Sequence, residues 1–322
     1  MLSDLEKAII STIIYFDIFN YPLTSLEVYK YLLWPTGKKA DVSLFEIKRM
    51  LETSPLLKKR IQTKQGFYFL TGRETIISRR KQRYLIAEKK LLRARKFIKL
   101  LSKLPFVQTI HICNSLSYSN SREDSDIDLA IVCQPNAIWL TRILAVTLME
   151  LLGQRPSDEK MKNKICLSFY VSDDNLDLEN YQSECPDIHF IFWQSQFLPI
   201  YQRNKNSFSE SNAWSRKYLP NQISQTANNR RAIYHDSKTK RICENMLCRF
   251  LKNYLNKSAK KYQLKILPTK LKVANQQPTT DVVLENNILK LHANDRRQEY
   301  NQKWRIKYKS ILKFYENSAE NY

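Results

Sequence analysis

NSLSYSNSREDSDIDLAIV, residues 114–132, decides how the rest of the chain is read. In an extended segment successive side chains point to opposite faces. Asp126 and Asp128 therefore share one face, while Ile127 and Leu129 point into the apolar layer beneath. Two carboxylates on one face can share a divalent cation. Magnesium (or manganese) suits them, because it takes hard oxygen ligands, keeps several waters and is commonly held by one or two carboxylates together with substrate phosphates. Just upstream, QTIHIC (residues 108–113) reads as a short apolar strand, and Asn114 and Ser115 turn the chain at its end. Backbone N–H groups at such a turn, with the Ser115 hydroxyl, can hold a triphosphate. The plain alternative for the two aspartates is a solvated strand end whose acids cap a turn or meet neighbouring lysines.

Spacing argues against that alternative: ten residues separate Ser115 from Asp126. With the run Asp124-Ser125-Asp126-Ile127-Asp128-Leu129, the stretch resembles the Gly-Ser, ten residues, Asp-x-Asp signature of the minimal nucleotidyltransferases in the DNA polymerase beta superfamily. The resemblance implies an α/β core in which Asp126 and Asp128 are the catalytic metal ligands. It also implies that Asn114 and Ser115 bind the phosphates of an NTP substrate. The chain departs from the family pattern in three places. Asn114 replaces a glycine; asparagine tolerates left-handed backbone but adds a side chain beside the phosphates. Ser119 replaces a second small residue. The family's third carboxylate, which helps hold metal and can act as general base, is expected on a later strand. The candidate strand, KICLSFYV (residues 164–171), contains no acid. Alternation puts Cys166, Ser168 and Tyr170 on one face of it, with Asp173 and Asp174 just past its end. Three outcomes stay open: reaction with two ligands, Asp173 or Asp174 reaching back, or binding without catalysis.

A chain of 322 residues exceeds a typical single domain, so two or three modules are expected, and 43% hydrophobic content can supply their cores. The net charge of +22 favours a polyanion, whether RNA, DNA or nucleotide phosphate, wherever the cations cluster. The six cysteines, Cys113, Cys133, Cys166, Cys185, Cys243 and Cys248, form no CxxC pair and no zinc spacing with histidine, and read as buried reduced thiols. His111, His189, His235 and His292 are scattered without catalytic spacing. Asp4, Glu6 and Lys7 do not suit a secretory signal, and the most apolar expected helix, residues 137–152, is interrupted by Arg142 and Glu150. A cytoplasmic protein without membrane spans is expected.

The expected fold class is α+β or α/β multidomain. Residues 1–72 hold helical spacing over 2–18 and capping boxes at Thr24–Glu27 and Ser43–Glu46, opening helices to about 33 and 53. Two β-prone runs, 57–63 and 67–71, then flank Lys64-Gln65-Gly66. Three helices and a hairpin resemble a winged-helix domain. That resemblance implies Lys48 and Arg49 on the third helix, and Lys58, Lys59, Arg60 and Lys64 on the hairpin, as nucleic-acid contacts. The same module can instead dock a protein or position a substrate.

Residues 73–104 read as a long connecting helix. Its cations, among them Arg79, Arg80, Arg83, Lys89, Lys90 and Arg93, form either a solvated face or a rail for RNA or DNA. Residues 105–200 hold the transferase-like core, and residues 201–322 a mainly helical C-terminal region. Within the core, a helix over 139–153 carries Arg142, a phosphate contact or an exposed charge, and Lys162 and Lys164 are candidates for the triphosphate. A helix over 186–197 starts at a proline and places His189 and Trp193 on one face, read as core packing. An irregular stretch over 204–231 is anchored by Trp214 and Tyr218. Helices follow over 241–262 and 295–315, with the chain between broken by Pro268 and Pro278.

Two functions follow from these residues. One is transfer of an NMP group from an NTP to a hydroxyl acceptor. The other is a catalytically degenerate nucleotide-binding regulator whose winged helix binds DNA or a partner protein.

Overall fold

Three serine or threonine caps organise the N-terminal helices. Ser3, Thr24 and Ser43 each accept a hydrogen bond from the backbone N–H three residues on, and Glu6, Glu27 and Glu46 reach back to the N–H of the cap. They open α1 (Asp4–Ile18), α2 (Ser25–Lys30) and α3 (Leu44–Thr53). The structure is a computed structural model describing residues 2–34, 41–157, 160–203, 208–227, 231–233, 237–247, 249–277, 279–292 and 294–320. His235, Cys248 and Pro278 lie outside the described residues.

Tertiary bonds cut α2 short of its expected end. Leu32 and Leu33 are wholly buried, and the Leu33 N–H donates to Thr12 Oγ1 at 2.8 Å, a bond that a continued helix would forfeit. Residues 57–59, expected in a strand, belong instead to α4 (Pro55–Lys58) and the turn after it. Ser54 Oγ caps that helix by accepting from the Leu57 N–H at 3.1 Å, and Pro55 sits at its first position, where no N–H is needed. The hairpin is the shorter pair β1 (Ile61–Lys64) and β2 (Phe67–Leu70). Gln65 and Gly66 turn it at φ +54° and +78°, the two positive angles of a tight hairpin turn.

The long helix α5 (Ile76–Leu101) buries Ala87, Leu91, Ala94, Ile98 and Leu101 along one stripe. Several of its cations are structural. Arg80 forks onto Glu27 at 2.7 and 2.8 Å, Arg83 donates to the Phe19 carbonyl at 2.9 Å, and Arg93 donates to the Asn163 carbonyl at 3.0 Å. The remaining elements follow as β3 (Val107–Ile112), α6 (Asn114–Ser117), β4 (Ile127–Cys133), α7 (Ile138–Leu151), β5 (Ile165–Ser172), α8 (Ile188–Ser195), β6 (Leu198–Gln202) and α9 (Phe208–Ser211). The chain closes with α10 (Lys238–Met246), α11 (Arg249–Ile266), α12 (Thr269–Asn275), β7 (Val282–Leu284), β8 (Ile288–Leu291) and α13 (Arg297–Glu320).

Six strands form one mixed sheet in the order β6-β3-β4-β5-β8-β7, with β4 and β5 parallel and the other pairs antiparallel. The C-terminal region, expected to be mainly helical, thus supplies β7 and β8 to the same sheet. One face packs on α5, α7 and part of α11 through Leu91, Ile98, Trp139, Ala145 and Ala259. Phe190, Trp193 and Phe197 of the α8 region cover the other, with Phe208 of α9. Asp187, not Pro186, caps α8, accepting from the Phe190 N–H at 3.0 Å. Arg142 is half-buried, and its guanidinium donates to Gln263 on α11.

The N-terminal unit is continuous with this layer. Tyr15 of α1 stacks on Phe192 of α8 at 3.9 Å, and Trp304, Ile311 and Tyr315 of α13 enter the same core. α8 is therefore shared between the two parts, and it forms one wall of the cleft described next.

Candidate metal centre and its cleft

Strand β4 sets the two aspartates. Ile127 and Leu129 are wholly buried against the helical layer, which leaves Asp128, and Asp126 one residue before the strand, on the opposite side. The parallel register places Cys166 of β5 directly beside Asp128. A carboxylate oxygen of Asp126, one of Asp128 and Cys166 Sγ all lie within 4.8 Å of one another.

The strand pair then slips. Asp128 pairs with Cys166 but Ala130 pairs with Phe169, so β5 carries one extra residue at a β-bulge. Cys166 and Ser168 stay on the site's side, whereas Tyr170 turns into the opposite core with Ile131. The expected common face for Cys166, Ser168 and Tyr170 is thereby corrected. Neither Asp173 nor Asp174 reaches back. The Asp173 N–H donates to the Cys133 carbonyl at the far end of β4, at 2.8 Å. Cys133 stands five residues along β4 from Asp128, the partner of Cys166, so that end lies about 17 Å away at roughly 3.3 Å per residue. Asp174 accepts from Ser172 instead.

Burial raises Asp126 above the ordinary carboxylate range. Burial first, and the Asp126 charge second, push Asp128 up to about 7. A side-chain hydrogen bond from Asn114 opposes the shift at Asp128. Lys90 favours both ionised forms, yet its ammonium donates to Ser125 Oγ at 2.8 Å and so holds the end of the loop. Two crowded, desolvated carboxylates are an arrangement that a cation relieves.

Asn114 adopts φ +56° and Ser119 φ +59°, left-handed backbone at both loop positions. The Asn114 side chain has its own work: Oδ1 accepts from Trp193 Nε1 at 2.8 Å. Asn114 therefore ties α8 to the acidic strand. The loop is pinned further by the Asn120 N–H, which donates to the Ser115 carbonyl at 2.8 Å, and by Arg83 Nη1, which donates to Asn120 Oδ1 at 3.2 Å.

A cleft of about 490 Å³ opens over Asn114, Ser115 and Asp128. Arg83, Arg122, Arg296 and Lys303 supply its cations, and Tyr15, Phe19, His189, Trp193 and Tyr300 its aromatic walls. Arg122 is paired with Asp124 (Nε to Oδ1, 3.0 Å) and Arg296 with Glu299 at 2.7 Å. Burial lowers His189 to about 4, so it stands neutral beside Tyr15, whose hydroxyl lies 3.0 Å from its Nδ1. His189 and Trp193, read as core packing, thus line the cleft. Behind them Cys166 Sγ donates to Ser168 Oγ at 3.4 Å, and Ser168 Oγ lies 2.8 Å from His292 Nε2.

The other expected contacts are elsewhere occupied or solvent-facing. Lys162 pairs with Glu123 at 2.6 Å, and Lys164 donates to the Gly153 carbonyl. Lys48 is exposed, 4.0 Å from Glu52, and Arg49, Lys58 and Lys59 are exposed. Arg60 precedes the hairpin and lies over the Phe314 ring of α13 at 3.7 Å. Cys113 and Cys133 are buried, but Cys185 and Cys243 are exposed, contrary to the uniform burial expected.

Sequence reasoning missed Cys166 as a neighbour of the two aspartates and Arg83, Arg296, Tyr300 and Lys303 as cleft residues. The spacing of His189 and Trp193 was the one usable signal for the walls. Comparison with protein-family models, curated proteins and solved structures returned no match. Among the described residues no helix is long and apolar enough to cross a membrane.

Proposed function

We propose that the chain is a nucleotidyltransferase built on the DNA polymerase beta plan, with a winged-helix-like N-terminal unit, and that it moves an NMP group from an NTP to an acceptor hydroxyl. One observation carries this reading: Asp128, with Asp126 converging on it, lines a cleft of about 490 Å³ that also includes Ser115 and four cations. The donor set fits a divalent cation, since two carboxylates crowd together and burial raises both. Held by Asp126 and Asp128, that ion would neutralise charge on the reacting phosphates.

The chain's own residues do the positioning. The Ser115 hydroxyl and the backbone of its turn bind phosphate oxygens, and Arg83, Arg122, Arg296 and Lys303 supply positive charge. Tyr300 and the neutral His189 offer rings for the base. The acceptor oxygen attacks the α-phosphorus, the bond to the pyrophosphate oxygen breaks, and the hydroxyl proton leaves to water.

The test is incubation with each α-labelled NTP and magnesium, manganese or zinc, alone and with cellular RNA or lysate. Label transferred to an acceptor, with pyrophosphate released, supports the assignment; no transfer with any NTP under any of these conditions rejects it.

The missing third carboxylate favours a second reading, a nucleotide-sensing regulator. It predicts NTP binding without pyrophosphate release, together with salt-sensitive DNA binding that weakens in Lys48→Glu/Arg49→Glu. Unchanged DNA affinity in that variant would count against it.

A further inference from the structure

With Asp126 and Asp128 taken as metal ligands, as proposed above, we infer that Cys166 is the third ligand and that the site takes a thiophilic divalent ion, zinc foremost, rather than magnesium. The place where a third carboxylate belongs is not empty. Parallel pairing sets Cys166 directly against Asp128, and its Sγ lies within 4.8 Å of a ligand oxygen from each aspartate. Metal bonds of about 2.0–2.3 Å to oxygen and sulfur put ligand atoms of one ion about 3.5 Å apart, a spacing that small side-chain rotations close.

The donor types set the ion. Magnesium selects oxygen and rejects thiolate, whereas zinc binds carboxylate and thiolate together. Three protein ligands with further positions left to water or a phosphate oxygen is the pattern of a catalytic zinc site, where structural zinc sites use four. Binding replaces the Cys166 S–H by a metal–sulfur bond, and the proton leaves to solvent.

A hydrogen-bond chain beside the cluster can serve the thiolate as well as the thiol. Ser168 Oγ stands 3.4 Å from Cys166 Sγ and 2.8 Å from His292 Nε2. With the thiol protonated, the chain runs from sulfur to serine to a ring nitrogen that accepts. Once the proton is lost it can reverse: His292 Nε2–H donates to Ser168, and Ser168 donates to sulfur. Neutral histidine allows either tautomer, so the thiolate gains a donor without any side chain moving. The β-bulge just after Cys166 keeps Ser168 on the side where this works. Ser168 and His292 are thus positioning residues for the third ligand.

The test uses the full chain carrying Cys185→Ser, Cys243→Ser and Cys248→Ser, which leaves only the buried Cys113 and Cys133 beside Cys166. Cadmium is titrated as the spectroscopic stand-in for zinc, and zinc by equilibrium dialysis. We expect one ion per chain, a thiolate-to-cadmium charge-transfer band in the ultraviolet, and loss of that band in Cys166→Ser. Zinc affinity should fall in that variant by at least the roughly 100-fold that supporting groups around a metal can command, and by about 10-fold in Ser168→Ala. Cys166→Asp, which keeps a ligand in place and guards against misfolding, should lose the band and gain magnesium affinity.

Absence of the band in the parent chain, or a band and zinc affinity unchanged in Cys166→Ser, overturns the inference. None of these readouts needs turnover. Magnesium-supported transfer without the band overturns the thiol ligand and leaves the transferase reading standing, whereas a Cys166-dependent band without transfer does the reverse.

Discussion

Asn114 offers a stringent test of the site's geometry, because glycine and alanine at that position make opposite demands on one backbone angle. Either substitution removes the acceptor for Trp193 Nε1, now at 2.8 Å, and the side-chain bond to Asp128. At about 1 kcal/mol net per hydrogen bond, each variant loses about 2 kcal/mol. The backbone then separates them. At φ +56° glycine sits without strain, while a Cβ with no compensating polar group costs about 1–2 kcal/mol. Asn114→Gly should therefore be destabilised by about 2 kcal/mol and Asn114→Ala by about 3–4 kcal/mol. Urea unfolding followed by far-ultraviolet dichroism and tryptophan fluorescence reads both, provided the slopes match. Equal midpoints for the two variants would refute the left-handed turn. A glycine variant as stable as the parent would refute the bridge between α8 and the acidic strand.

Other parts of the structure make equally specific demands. Arg297 is buried and donates to Asp295 Oδ2 at 2.8 Å, to the Tyr181 carbonyl at 2.9 Å and to Thr280 Oγ1 at 2.8 Å, with the fully buried Asp187 at 3.4 Å. Arg297→Met strands those carboxylates and should cost about 3–5 kcal/mol in urea unfolding; a loss under about 1 kcal/mol would show that the network is slack. His111 is buried, and burial lowers it to about 3, so between its ordinary value near 6.5 and that value the unfolded chain takes up a proton that the folded chain refuses. Its contribution is complete above about pH 6.5 and falls by up to about 1.4 kcal/mol per unit as the pH drops toward 3. Unfolding measured across that range should show a shallower pH slope in His111→Leu, and identical slopes would contradict the burial.

What the sequence made legible was local. The Thr24 and Ser43 boxes, the Gln65-Gly66 turn and the alternation around Asp126 and Asp128 are all written within a few residues, and each forms where its chemistry requires. What stayed hidden depends on partners far along the chain. α2 stops early because Leu33 bonds Thr12, and Cys166 becomes a neighbour of Asp128 only through the β4–β5 register. Tyr170 changes face because of a bulge that alternation cannot foresee. β7 and β8, at three and four residues, are too short to show a period. The basic face of α5 was legible only in part for a related reason: Arg80, Arg83, Lys90 and Arg93 find their carbonyl and carboxylate partners only in the folded chain.

The central claim is that Asp126 and Asp128 serve chemistry on a nucleotide. Metal-dependent turnover of NTP, measured as pyrophosphate release in the parent chain and in Asp126→Asn/Asp128→Asn, puts it to the test most directly. Turnover in the parent that falls by on the order of 1,000-fold or more in the double variant, with the fold intact by dichroism, is the predicted result. Turnover that persists undiminished without the two carboxylates would contradict the claim.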